Sequence, residues 1–255
     1  MGWEPEKYIQ GNYFQIETSN AFRKDFKIKP FGNILDAGCG DGQYSALLAE
    51  DVTHGRILGI DNSEEMISHA RARWARDNLS FEVDNIETFQ PAMDYDFVLS
   101  FWCLHWTDIS RTFPNIFHAL KNGGRFYAIF SSFSDNSVFQ TCSELAKQNR
   151  YPALTKRYKA INNENNAYFY YVLNNLNQIP FKKAKVELKT TAVYFPDMNY
   201  FKSLVLTLPF IKAMPEETVP DLVDDLLQIF QTICDRKYDG KLYYETQPIV
   251  LEAMK

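Results

Sequence analysis

Ile34-Leu35-Asp36-Ala37-Gly38-Cys39-Gly40-Asp41-Gly42 is a short apolar run that breaks into three glycines spaced two apart. A strand that ends in such a turn lets backbone N–H groups approach a ligand with no Cβ in the way, just where a helix N-terminus begins. The stretch reads as strand, cofactor loop and helix start. An ordinary strand-to-helix turn would use the same residues, so the chain on either side of the loop has to separate the two readings.

Working outward, strand-like runs at 33–37, 56–61, 79–84, 95–101 and 124–130 alternate with helical patterns at about 43–50, 63–77 and 108–119. Alternation of this kind implies right-handed β-α-β units and a parallel sheet. In the helix after Asp61, Asn62 can serve as cap with Glu65 three residues on, while Ile67, Ala70 and Trp74 form one apolar face. Met66 falls in its first turn.

Past residue 131 the character changes. The segments 134–178 and 197–236 are rich in Tyr, Phe, Asn and Lys and read as helical. Between them Val186, Leu188, Thr190, Ala192 and Tyr194 alternate, and 241–252 ends the chain as another strand, so the last two strands are expected as an antiparallel hairpin on the sheet edge. The helical pieces are expected to cap the C-terminal edge of the strands, where ligands bind in such sheets.

The spacing selects the cofactor. A dinucleotide fingerprint, G-x-G-x-x-G, would need glycine at position 43, where Gln43 stands. With Asp36 opening the loop and Asp61 closing Ile57-Leu58-Gly59-Ile60-Asp61, the segment resembles the S-adenosylmethionine loop of the seven-stranded methyltransferases. Leu79-Ser80-Phe81-Glu82-Val83-Asp84-Asn85-Ile86 is similar to the third motif of that class, and the fourth strand, ending in Ser100-Phe101, leads into Trp102-Cys103-Leu104-His105-Trp106. With Trp3-Glu4-Pro5 and Tyr8 at the amino terminus, the chain resembles the branch of juvenile hormone acid, trans-aconitate and malonyl carrier-protein O-methyltransferases over about residues 1–132.

That resemblance implies a doubly wound α/β fold with a seven-stranded, mostly parallel sheet and a helical cap inserted after the fifth strand and between the last strands. It implies a cofactor-binding core at 1–132, with an N-terminal helical segment, continuous with a cap and the last two strands at 133–255. S-adenosylmethionine is the implied cofactor and S-adenosylhomocysteine its product. Cofactor contacts fall on Tyr8, Asp36, Ala37, Gly38, Gly40, Asp61, Asn62, Met66, Asp84, Asn85, Ile86 and Ser100. Asp61 would accept the ribose hydroxyls, Asp84 the adenine amine, and Asp36 would sit near the methionine ammonium. Juvenile hormone acid enzymes carry a glutamine shortly after the amino-terminal tyrosine, and Gln15 falls there.

Composition narrows the partners. The 255 residues are 45% hydrophobic and 23% charged, enough for a full core in one large domain, and no apolar run approaches the ~20 residues of a membrane span. The start has neither a basic leader nor an apolar stretch, so a cytoplasmic protein without membrane attachment is expected. Cys39, Cys103, Cys142 and Cys234 are far apart and lack metal-ligand spacing, so neither a metal nor a disulfide is expected. A net charge of −5 argues against nucleic acid as a partner and favours a small-molecule acid.

Nucleobase methylation would need Asn or Asp, two prolines and an aromatic where Ser100-Phe101-Trp102-Cys103 stands. A carboxylate acceptor, with a pKa of about 4, is already ionised and requires no general base. In that mechanism Gln15 and His105 orient the acceptor and Trp106 shields the transferring methyl, although His105 and Trp106 serve equally well as core residues. An electropositive wall could come from Lys147, Arg150, Lys156, Arg157 and Lys159, or those residues form a solvated face. Three alternatives stay open: an acyl group on a carrier protein, an amine or hydroxyl acceptor, and a non-catalytic cofactor-binding module.

Overall fold

Helix α1 (Tyr13–Arg23) enters the fold ahead of the sheet, burying Phe14, Thr18 and Phe22 on one face. In this computed structural model, residues 11–26, 28–133, 136–161 and 167–255 are described, those at 157–161 by their backbone only. Strands β1 (Asn33–Ala37), β2 (Arg56–Asp61), β3 (Leu79–Val83), β4 (Tyr95–Phe101) and β5 (Leu120–Phe130) then alternate with α2 (Gln43–Asp51), α3 (Glu64–Trp74) and α4 (Ile109–Ala119). β1 pairs in parallel with both β2 and β4, which continue in parallel to β3 and β5. Crossover helices between parallel strands must cover both faces, and that is why the strands read as nearly continuous apolar runs.

Three helices follow β5, α5 (Ser137–Lys147), α6 (Pro152–Ile161) and α7 (Ala167–Leu176). The chain returns to the sheet as β6 (Lys183–Leu188), leaves it as β7 (Thr191–Tyr194), and passes through α8 (Met198–Thr207), α9 (Pro209–Lys212) and α10 (Val219–Tyr238). It closes with β8 (Tyr243–Thr246) and β9 (Ile249–Met254). The main sheet has seven strands in the order β3-β2-β1-β4-β5-β9-β6, with β9 antiparallel to both neighbours. This is the doubly wound, mostly parallel arrangement expected, with helices inserted after the fifth strand and between the last strands. No helix among the described residues is long and apolar enough to cross a membrane.

Two local expectations need correction. Ser63, one residue after Asn62, caps α3 by accepting from the Met66 N–H at 3.3 Å, and its hydroxyl donates to Glu65 at 2.9 Å. The expected terminal hairpin is two separate pairings: β6 lies at the sheet edge beside β9, whereas β7 and β8 form a second, two-stranded sheet. Both strands break at the same level, where Gln247 Nε2 donates to Thr190 Oγ1 and Pro248, which has no N–H, interrupts the ladder.

The sheet separates two buried clusters. Leu35, Val98, Phe126 and Leu251 pack with α4 and α7 on one face, while Ile34, Ile57, Phe81 and Tyr127 pack with α2 and α3 on the other. A third cluster joins α5, α8, α10, β7 and β8 to Phe14 of α1, stacking Phe201 on Phe230 at 3.8 Å. Each fully buried side chain of this kind contributes about 2 kcal/mol relative to exposure.

Candidate active site

The strand order reverses between β1 and β4, and the crevice at their C-terminal tips is where an open α/β sheet binds ligands. A cavity of about 370 Å³ opens there, a size suited to a small molecule. Its floor is the loop after β1. Gly38, Gly40 and Gly42 hold φ of +79°, +55° and +77°, conformations that side-chain-bearing residues rarely adopt. A Cβ on Gly38 would collide with the side chain of Cys103, but one on Gly40 would meet nothing within 4 Å. Gly40 therefore keeps space open for a ligand, and Gly38 lets the loop close onto the chain leaving β4.

Asp61, at the tip of β2, is pinned by two backbone donors: the Gly40 N–H reaches one carboxylate oxygen at 3.0 Å and the Ser63 N–H the other at 3.0 Å. Each oxygen keeps a second lone pair, and the residue lines the cavity. Burial raises its pKa, with the Ser63 and Gly40 N–H groups acting in the opposite sense. Asp84, past β3, accepts from the Asn85 N–H at 2.7 Å, and Asn115 holds the Ile86 carbonyl at 3.0 Å. Gly38, Gly40, Asp61, Asn62, Met66, Asp84, Asn85 and Ile86 all meet at this one cavity, and Gln15 and Trp106 also line it.

Four expected residues stand elsewhere. Ala37 is fully buried in the core, and Ser100 is fully buried with its hydroxyl donating to the Ala37 carbonyl at 2.7 Å, so both hold the loop from beneath. Asp36 is 3% exposed, and it accepts from the Ser45 hydroxyl at 2.5 Å behind the glycines. Burial pushes its carboxyl up to about 6, the Ser45 hydrogen bond opposing and Asp61 reinforcing the shift. Only through its field does Asp36 reach the cavity. His105 packs 4.9 Å from Trp106 and 5.9 Å from Phe133, its Nδ1 accepting from the Ser131 N–H at 3.4 Å. Burial holds its pKa down to about 3, so the imidazole is neutral and packs against Trp106, which is itself 58% exposed and no core residue. Tyr8, with Trp3, Glu4 and Pro5, lies outside the described residues.

The basic segment does not form the expected wall. Arg150 pairs with Asp225 at 2.6 Å and Asp221 at 3.6 Å, and Lys147 with Glu144 at 2.8 Å. None of Lys147, Arg150 and Lys156 lines the cavity, and the side chains of Arg157 and Lys159 lie outside the described residues.

Of one whole wall, sequence reasoning found only Gln15. Asn12 at the N-cap of α1, with Gln15, Ile16 and Ser19, recurs at i, i+3, i+4 and i+7 and lines the cavity as a single stripe beside the buried Phe14 and Phe22. Trp102, at an unusual φ of +59°, holds the helix there, its indole N–H donating to the Gln15 carbonyl at 3.1 Å. Thr207, Pro209 and Lys212 reach the same cavity from α8 and α9. Asn12 Oδ1, Gln43 Oε1 and Tyr44 Oη are buried without a hydrogen-bond partner, and all three residues line the cavity. Buried polar atoms left unpaired are costly, so the site is built for a polar ligand. An open glycine cradle, a pinned carboxylate and unpaired polar atoms together fit a nucleoside-bearing amino acid such as S-adenosylmethionine.

Comparison with known proteins agrees with this geometry. Residues 34–124 match the methyltransferase domain family. The chain is 28% identical to juvenile hormone acid O-methyltransferase of Bombyx mori over 80% of its own length and 76% of that protein's. Likewise it is 28% identical to trans-aconitate 2-methyltransferase of Deinococcus radiodurans, over 49% of this chain and 47% of that one. In fold it is similar to phosphoethanolamine N-methyltransferase 2 of Haemonchus contortus, solved with S-adenosylmethionine, at a TM-score of 0.57 and 17% identity over 94% of this chain and 52% of that one.

Proposed function

We propose that this S-adenosylmethionine-dependent methyltransferase delivers its methyl group to the carboxylate of a small organic acid. The observation that carries the reading is the chemistry of the cavity wall. Among the described residues that line it there is no histidine, and burial holds both lining thiols protonated, Cys103 up to about 12 and Cys39 well above its ordinary value, so a general base would have to come from the lining carboxylates Asp41, Asp61, Asp84 and Glu87, two of which this reading gives to the cofactor. A hydroxyl or ammonium acceptor must lose a proton, but a carboxylate with a pKa of about 4 has none to lose. The relative from Bombyx mori is named for methylating an acid.

In this reading Asp61 accepts the ribose hydroxyls on its two remaining lone pairs, and Asp84 accepts the adenine amine, with Asn62, Met66, Asn85 and Ile86 enclosing the base. When bound, the sulfonium supplies an electrophilic methyl, the carboxylate oxygen forming the new O–C bond as the S–C electron pair leaves with sulfur. Gln15 orients the acceptor from α1, and Trp106 covers the reacting atoms. Both act by alignment and by exclusion of water that would otherwise solvate the nucleophile. His105 serves by seating Trp106, in place of touching the acceptor.

The test is to incubate purified protein with methyl-labelled cofactor and a panel of acids that includes trans-aconitate and juvenile hormone acid. The reading predicts label in a base-labile ester. Label that appears only on amines or hydroxyls, and survives base, would contradict it.

A further inference from the structure

Transfer from a sulfonium to a carboxylate brings an anion into a cavity lined by Asp41, Asp61, Asp84 and Glu87. These four carboxylates come from the tips of β1, β2 and β3 and the loops that follow them. Like charges therefore have to be kept apart within one small cavity, since a carboxylate placed among carboxylates is repelled by several kcal/mol at short range. Among the described residues lining the cavity, Lys212 is the one cationic side chain. It comes from α9 in the cap, and Ile211 beside it is buried and anchors that short helix. Next to this helix, the end of α8 abuts the start of α1 so closely that a Cβ on Gly11 would lie 2.8 Å from Thr207. Asn12 follows at once, 5% exposed, with an amide oxygen that has no partner. The amide's two ends are interchangeable in shape, so Asn12 can turn its NH₂ toward an anion.

We propose that Lys212, with Asn12 of the same cavity, is the recognition site for the acceptor's carboxylate. This inference rests on the carboxylate reading above and adds the residue that selects for charge. It also fixes what Lys212 does to the rate. Anion and sulfonium neutralise each other as the methyl moves, so the transition state carries less charge than the bound reactants, and an ammonium held on the carboxylate favours the ground state. Lys212 therefore contributes to binding and not to the chemical step. A carboxylate is also present on the cofactor, so the test has to distinguish the two sources.

The experiment compares wild type, Lys212→Gln and Lys212→Arg with whichever of trans-aconitate and juvenile hormone acid wild type methylates. Lys212→Gln should raise the acceptor KM about tenfold or more, with kcat unchanged or higher, and Lys212→Arg should restore most of the loss. Product inhibition by the neutral methyl ester should be the same in wild type and Lys212→Gln, which a merely structural lesion would not allow. Calorimetry with S-adenosylhomocysteine should give equal affinity in all three proteins. Unchanged acid KM, equal weakening of acid and ester, or a selective loss of S-adenosylhomocysteine affinity each overturn the assignment of Lys212. A wild type that methylates neither acid nor any other carboxylate overturns the carboxylate reading and this inference with it.

Discussion

Two carboxyls on neighbouring strands carry different loads. Asp61 meets the cavity and is pinned by N–H groups, so Asp61→Ala removes both the ligand contact and the anchor of Gly40. Its expected effect is at least about a tenfold loss of S-adenosylhomocysteine affinity, read by calorimetry. Asp36 is buried at a pKa of about 6 against an ordinary 3.8, so its folded form holds the proton more tightly than the unfolded chain does. The stability it contributes is present below pH 4 and lost as pH rises through 6, on the order of 3 kcal/mol. Asp36→Asn should abolish that decline and exceed wild type in urea midpoint at pH 7. His105 works in the other direction, its contribution fading as pH falls below 6.5, so the mutant-minus-wild-type difference is the quantity to follow. At this scale the sequence showed residue types but not directions. Asp36 and Asp61 both end apolar runs, and nothing in their spacing tells that one faces Ser45 and the other the cavity.

At the scale of elements, the β1–α2 turn depends on two glycines for different reasons, and substitution separates them. Gly38→Ala forces a Cβ into Cys103 at a φ of +79° and should cost about 1–3 kcal/mol of stability as well as ligand affinity. In Gly40→Ala the Cβ meets no protein atom, so the protein should lose about 1 kcal/mol yet bind S-adenosylhomocysteine far more weakly. Thermal melts and titrations of both variants check the contrast. The parallel strands were legible because fully buried strands are continuous apolar runs of the right length. The split of β6 from β7 and of β8 from β9 was not, because alternation ran unbroken through Lys189 and Thr190 and only Pro248, between β8 and β9, marks the break. Beyond Gln15, the polar stripe of α1 was legible in principle: Asn12, Gln15 and Ser19 recur at helical spacing directly beside the buried Phe14, Thr18 and Phe22.

For the molecule as a whole, the sheet supplies one part of the site and the cap another. The glycine loop and the tips of β2 and β3 carry the acids, while α1, α8 and α9 bring amide, hydroxyl and ammonium groups to the same cavity. A ligand that touches both ties the cap cluster to the sheet clusters, so saturation with S-adenosylhomocysteine should slow hydrogen exchange in α1 and α8 as well as in the glycine loop. Protection confined to the loop would show that the cap wall stays apart from the cofactor. The cap's pairing was hidden from the sequence because Phe, Tyr and Leu there are compatible with many packings, and long-range contacts such as Arg150 to Asp225 leave no local periodicity. The central claim is that the crevice at the strand tips holds S-adenosylmethionine on Asp61 and the glycine cradle, and isothermal titration with S-adenosylhomocysteine tests it most directly. Saturable binding at a single site, weakened at least about tenfold in a folded Asp61→Ala variant, is the predicted result, whereas well-folded wild type giving no heat, or equal affinity in the variant, would contradict it.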